Sequence, residues 1–88
     1  MLNREEIEGK LGPIVDVIDR QRKGERLGGE TAERSLFNAH EYEVLIEIIC
    51  DNLCEEDPWF ELSDEQRADL REVASYLDVD RRYWSFLE

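Results

Sequence analysis

Residues 41–54 read EYEVLIEIICDNLC, and this stretch decides the fold. Its apolar side chains recur at the three- and four-residue spacing of a helix, and Val44 and Ile48 widen the resulting stripe. The stripe itself consists of Tyr42, Leu45, Ile46, Ile49, Cys50 and Leu53. A helix that is apolar over most of its circumference is usually the central element of a bundle. The pattern therefore predicts a helix that other helices cover on several sides.

Capping motifs on either side of this stretch predict where the other helices begin. In a capping box, a side chain accepts a hydrogen bond from the amide three residues on, and Glu or Gln at that position bonds back. Asn3 with Glu6, Asn38 with Glu41, and Ser63 with Gln66 have this spacing. Thr31 is placed to cap a short helix, and Asp78 or Asp80 to cap a last one. We therefore expect an all-α fold, a small bundle of three to five helices.

Gly12-Pro13 interrupts the first helical segment. Proline lacks the amide that would pair with the carbonyl of Gly9. The helical phase nevertheless continues unchanged through Ile7, Leu11, Ile14, Val15 and Ile18. This favours one helix over residues 4–23, kinked at Gly12-Pro13, and two short helices are the alternative. Its end would carry the cations Arg20, Arg22 and Lys23, which suit the negative end of the helix dipole, with Gly24 as C-cap.

Size and motifs favour a single acidic domain over residues 1–88 that is not an enzyme. A chain of 88 residues has little apolar surface to spare for a deep catalytic cavity. It contains one histidine, and no nucleophile elbow, P-loop or dinucleotide-binding fingerprint. Its apolar runs are shorter than the roughly 20 residues of a membrane span, and its start does not read as a signal peptide. The expected location is the cytoplasm, of its own cell or of a host.

The two cysteines and the histidine do not predict a metal or cofactor site. Cys50 and Cys54 lie four apart on one predicted helix, poorly placed to bridge each other, so both are expected to be reduced. His40 could join the nearby acids and Cys54 around a metal ion. These groups would spread over about 20 Å of a single helix, whereas structural zinc sites bring together ligands from separate segments. No cofactor and no metal are therefore expected.

The negative charge is concentrated in the second part of the chain. Residues 1–37 hold seven basic and eight acidic side chains, a net charge of −1, and residues 38–88 hold four and fifteen, a net charge of −11. The interval between Arg34 and Arg67 has no lysine or arginine. Within it, Glu43, Glu47, Asp51 and Glu55 are four residues apart and would form one ridge on the central helix. Like charges at this spacing cost about 0.2–0.5 kcal/mol per pair.

Two interpretations of this ridge are open. A run of charge on a helix is usually a solvated face, and salt adaptation of the organism would have the same effect. The functional alternative is a surface that binds a basic protein, such as the nucleic-acid groove of a nuclease. Small acidic phage proteins that block restriction or CRISPR nucleases use this physics, although the likeness is one of charge and involves no shared motif. Direct nucleic-acid binding is not expected at a net charge of −12.

The predicted binding segment extends into the loop after the central helix. Trp59 is a candidate anchor in this loop, because tryptophan is favoured at the energetic centre of interfaces, although a cap over the end of the bundle is the plainer role. The predicted partner-binding residues are Glu43, Glu47, Asp51, Glu55, Glu56, Asp57, Trp59 and Glu61. A self-associating adaptor, a homodimer that buries the excess apolar surface, is the alternative function.

Overall fold

The structure is a computed structural model that describes residues 2–21, 31–58 and 60–88. Over these residues the chain forms five α-helices and a final 3₁₀ turn, and no strand. The elements are α1 (Arg4–Gln21), α2 (Ala32–Asn38), α3 (Tyr42–Leu53), α4 (Asp64–Tyr76), α5 (Arg81–Trp84) and the 3₁₀ turn Ser85–Leu87. The predicted all-α bundle is confirmed. The predictions for Arg22, Lys23, Gly24 and Trp59 concern residues outside the described ranges.

The first helix is continuous. α1 runs through Pro13 without a break, so the single helix is right and the two short helices are not. Its capping box forms as predicted: the Glu6 amide donates to Asn3 Oδ1 at 2.8 Å, and Glu6 Oε1 accepts from the Asn3 amide at 3.5 Å. Pro13 lies on the exposed side of the helix. The buried residues of α1 are Ile7, Leu11, Ile14, Val15, Val17 and Ile18.

The capping box predicted at Asn38 is wrong. Asn38 is the last residue of α2, which Thr31 caps as expected by accepting from the Arg34 amide at 3.0 Å. The helix ends there in a Schellman motif, in which the His40 amide donates to Phe37 O and the Glu41 amide to Leu36 O. His40 takes the left-handed backbone that this motif requires, with φ of 62°. Glu41 is then the N-cap residue of α3, and its side chain makes no capping hydrogen bond.

The core lies between α1, α3 and α4. α1 packs against α2 and α4, whereas α3 packs against α2, α4 and α5. The predicted stripe of α3 is buried from Leu45 to Leu53, and Tyr42 is half-buried. Val44 and Ile48 do not extend the core as expected, since Val44 is 42% exposed and Ile48 is only half-buried. α3 therefore keeps one side open to solvent and is not covered all round.

Polar contacts hold α4 and α5 in place. The capping box of Ser63 and Gln66 forms as predicted. Asp80, the second of the two proposed caps, begins α5 by accepting from the Arg82 amide at 3.0 Å, whereas Asp78 ends α4 in a second Schellman motif with φ of 59°. The buried Trp84 indole donates to Val79 O at 2.8 Å. Phe86, in the 3₁₀ turn that follows Trp84, is 38% exposed.

None of the helices in the described part of the chain has both the length and the apolar character that crossing a membrane would require.

Candidate functional site

The acidic face of α3 consists of Glu43, Glu47 and Asp51. The buried side of α3 points to the core, and these three residues, at four-residue spacing, lie on the other side. Glu43 and Asp51 are exposed and Glu47 is half-buried. At 1.5 Å of rise per residue, successive carboxylates are about 6 Å apart along the helix axis. The result is a short row of negative charge that faces solvent.

The fourth acid of the predicted ridge falls outside the helix. α3 ends at Leu53 with Cys54 as its C-cap, so Glu55 lies in the segment that follows. Glu55, Glu56 and Asp57 are all exposed there. The helical ridge therefore has two pairs of like charge at four-residue spacing instead of three, and the negative surface continues as a loop.

The acidic face of α3 is not neutralised within the described residues. None of its three carboxylates has an ion-pair partner in residues 2–21, 31–58 and 60–88, nor do the three acids of the following loop. Acids elsewhere do: Lys10 Nζ lies 3.2 Å from Asp69 Oδ1 and 2.9 Å from Glu72 Oε1. These hydrogen bonds, first to Glu72 and then to Asp69, raise the pKa of Lys10. Lys10 thus pairs with acids of α4 and not with the acidic face of α3.

An apolar row runs beside the acidic face. Val44 and Ile48 are also four residues apart, and on the helix surface Val44 adjoins Glu47 and Ile48 adjoins Asp51. Their exposure leaves apolar surface in direct contact with the carboxylate row. The sequence pattern predicted that both residues widen the buried stripe. Periodicity alone does not say which flank of a wide stripe is covered by other helices. The exposed surface of α3 therefore carries both carboxylate and hydrocarbon groups.

Glu61 faces outward from a well-anchored position. Its amide donates to Gln21 Oε1 at 3.0 Å, and its carbonyl accepts from Gln21 Nε2 at 3.2 Å. On either side, Phe60 is 1% exposed and Leu62 9%. The exposed Glu61 side chain thus extends from a segment that is fixed both to the end of α1 and to the core.

A polar cluster at the start of α3 was not predicted from the sequence. The Tyr42 hydroxyl donates to Glu8 Oε2 on α1, and the His40 ring stacks on Tyr42 with centroids 5.9 Å apart. Burial, and next the hydrogen bond to Glu8, raise the pKa of Tyr42 to about 12. Arg4 completes the cluster with a hydrogen bond to His40. No local pattern could have found it, because its members lie more than thirty residues apart in the chain.

The two thiols have different surroundings. Cys50 is fully buried, and this burial, followed by the nearby Asp51 charge, raises its pKa to about 12. Cys54 is exposed and donates from Sγ to Asp51 O at 3.4 Å. Both are free thiols. Among the described residues, no three His, Cys, Asp or Glu side chains are grouped so that they could hold a metal ion.

A groove of about 1100 Å³ lies apart from the acidic face of α3. α4 and α5 supply most of its lining, with Leu2 at one side and none of the predicted partner-binding residues. Tyr76, 43% exposed, and the buried Trp84 contribute its aromatic surface. Comparison of the chain with protein-family models, with curated proteins and with solved structures finds no match.

Proposed function

We propose that the protein is a non-enzymatic binding protein whose α3 surface engages a basic surface of another protein. The observation that carries the proposal is the row Glu43, Glu47 and Asp51, which faces solvent without an ion-pair partner in the described part of the chain. The two like-charge pairs in this row cost the helix about 0.4–1 kcal/mol. A partner's cations would reverse that cost on binding.

The neighbouring apolar row defines the partner further. Val44 and Ile48 would be covered only by a surface that presents apolar groups beside its lysines or arginines. Charge then steers the encounter and sets the salt dependence, whereas burial of the two side chains slows dissociation. The carboxylates of the following loop and Glu61 would lie at the edge of the same contact. Trp59 remains a proposed anchor in it.

In its specific form the proposal is an inhibitor from a phage or another mobile element, one that occupies the nucleic-acid groove of a nuclease of the restriction or CRISPR type. The spacing of about 6 Å between carboxylates is wider than the 3.4 Å phosphate repeat of one DNA strand. The likeness to nucleic acid therefore rests on the sign and density of charge. Such a protein would act in the cytoplasm of the host cell.

A pair of variants matched in charge tests the proposal. Glu43→Gln with Glu47→Gln removes two charges from the acidic face, and Glu5→Gln with Asp78→Asn removes two exposed charges from elsewhere. Asparagine at position 78 tolerates the left-handed backbone of Asp78. Glu8 is unsuitable as a control because it accepts the hydrogen bond from Tyr42.

Partners are captured on each immobilised variant and on the unmodified protein, and their affinities are then measured over a range of salt concentrations. We expect a basic protein that the unmodified chain and the Glu5/Asp78 control retain and that the Glu43/Glu47 variant loses. Its affinity should fall as salt rises. Duplex DNA should compete for the same partner if the inhibitor version is right. Equal retention on both variants would contradict the proposal.

The second candidate is a self-associating adaptor. The exposed apolar residues Val44, Tyr76 and Phe86 favour it, because burying them against a second copy would stabilise a homodimer. Sedimentation equilibrium separates the two candidates. A dimer at low micromolar concentration that is indifferent to salt supports the adaptor, and a salt-independent monomer argues against it. If the protein is such an adaptor, its acidity would serve solubility or adaptation to a salt-rich cell.

A further inference from the structure

His40 joins the corner between α2 and α3 to the first turns of α1. Its Nδ1 lies 3.2 Å from Arg4 Nη2, and its Nε2 lies 4.0 Å from Glu8 Oε2. The ring also stacks on Tyr42, at an angle of 18° between the two planes. The side chain is 40% exposed, so protons of the solvent reach it. The two ring nitrogens therefore face groups of opposite charge, Nδ1 the Arg4 guanidinium and Nε2 the Glu8 carboxylate.

The Arg4 contact fixes the proton on the neutral ring. A guanidinium has donors and no acceptor, so a hydrogen bond from Arg4 requires a lone pair on Nδ1. The proton of neutral His40 then resides on Nε2, directed toward Glu8. Histidine is also the side chain that ordinarily changes charge between pH 5 and 8.

We infer that His40 is a pH-sensitive latch between α1 and the start of α3, which holds Arg4 when neutral and exchanges it for Glu8 when protonated. The inference is independent of the proposed function, because it concerns contacts within the chain.

Protonation makes the Arg4 contact impossible. Nδ1 gains a hydrogen, so two donors face each other and two positive charges lie 3.2 Å apart. At the other nitrogen, the Glu8 carboxylate gains a full positive charge as its neighbour at 4.0 Å. The ring is therefore repelled on one side and attracted on the other. Glu41, next in the chain, adds a further negative charge beside it.

The exchange also reaches Tyr42. Glu8 Oε2, the atom nearest to His40 Nε2, is the same atom that accepts from the Tyr42 hydroxyl. Protonation of His40 places a positive charge beside the oxygen that accepts from Tyr42, which makes that oxygen a weaker acceptor, and the first residue of α3 loses part of its tie to α1. The backbones of α1 and α3 do not adjoin each other, so these side chains form the polar link between the two helices.

Nitrogen NMR of the intact protein tests the latch. At pH 8 the ring of His40 should show a lone pair on Nδ1 and a proton on Nε2, in a single tautomer. Between pH 8 and pH 5 the guanidinium signal of Arg4 should shift together with the signals of the His40 ring. Arg20, exposed at the other end of α1, is the internal reference and should not shift with it.

Two variants separate the latch from general effects of pH. Arg4→Met removes the donor, so the single tautomer should give way to a mixture of both. His40→Asn keeps a residue that tolerates the left-handed backbone, and should abolish the pH-dependent shift at Arg4. A proton on Nδ1 at pH 8 in the unmodified protein would overturn the inference. So would an Arg4 signal that stays constant between pH 8 and pH 5 while the signals of the His40 ring shift.

Discussion

Arg34 on α2 donates from Nε to Asp19 Oδ2 on α1 at 2.9 Å, and the Thr31 hydroxyl donates to the other oxygen of that carboxylate at 2.7 Å. Asp19 therefore accepts from both the cap of α2 and a side chain one turn inside it. Arg34 additionally pairs with Asp16 and lies over the Phe37 ring, 5.6 Å from its centroid. These contacts join α2 to the C-terminal part of α1.

Asp19→Ala should destabilise the protein by about 1–3 kcal/mol, because it leaves the part-buried Arg34 and Thr31 donors without their acceptor. Urea denaturation with an unchanged slope measures the loss. Asp16→Ala is the matched control: this carboxylate is 57% exposed, so the loss should be at most about 1 kcal/mol. Equal losses for the two variants would show that Asp19 has no special role.

Ile49→Ala and Val44→Ala test which side of α3 is covered. Ile49 is fully buried, so its truncation should cost about 2–5 kcal/mol through lost burial and a residual cavity. Val44 is 42% exposed, so its truncation should change stability by no more than about 0.5 kcal/mol. Thermal and urea unfolding measure both. A loss at Val44 comparable to that at Ile49 would contradict the exposed apolar row and point to a partner or second copy that covers it.

Gly9→Ala should stabilise the protein. Gly9 lies in the middle of α1, and a Cβ built on it meets no atom within 4 Å. Alanine would therefore gain helix propensity without a clash, about 0.5–1 kcal/mol. For a domain of this size such a gain raises the melting temperature by roughly 2–8 °C. A lower melting temperature for Gly9→Ala would show that the helix needs flexibility next to Pro13.

The raised pKa of Tyr42 predicts that the folded protein loses stability at alkaline pH. Its pKa is about 12 in the folded protein against an ordinary value of 10.0. A raised pKa means that the neutral hydroxyl is favoured by folding, so its stabilising effect is complete below pH 10 and is lost as pH rises toward 12. Absorbance of the phenolate, followed over this range, should contain a component with a midpoint near 12.

Tyr42→Phe should remove that component and flatten the dependence of stability on pH between 10 and 12. Tyr83→Phe is the control, because Tyr83 is half-buried and belongs to α5, away from the Glu8 cluster. If the late component persists in Tyr42→Phe, the hydrogen bond to Glu8 does not hold the hydroxyl proton as the geometry indicates.

Local signals in the sequence determined most of the helices. The two capping boxes, Asn3 with Glu6 and Ser63 with Gln66, link residues only three apart in the chain. They therefore form at the helix start without help from the rest of the fold. The stripe from Leu45 to Leu53 is buried because its spacing matches one side of a helix, and that side must find apolar cover. α1 stays whole through Pro13 because its apolar residues keep one phase, and packing along the helix outweighs the one missing hydrogen bond.

Tertiary structure decided which neighbour covers each residue. Asn38 has the spacing of a cap, yet the chain is already helical there and His40 turns the corner in left-handed backbone. Nothing in the spacing of Val44 showed that this flank of α3 would stay open. The tie between Tyr42 and Glu8 joins residues 34 apart, which only the packing of α3 against the rest of the bundle brings together. The sequence by itself determined the density of acid on α3; only the fold decided that, within the described residues, Lys10 and Arg34 pair with acids of α1 and α4, because ion pairs depend on distances between helices and not on spacing along one of them.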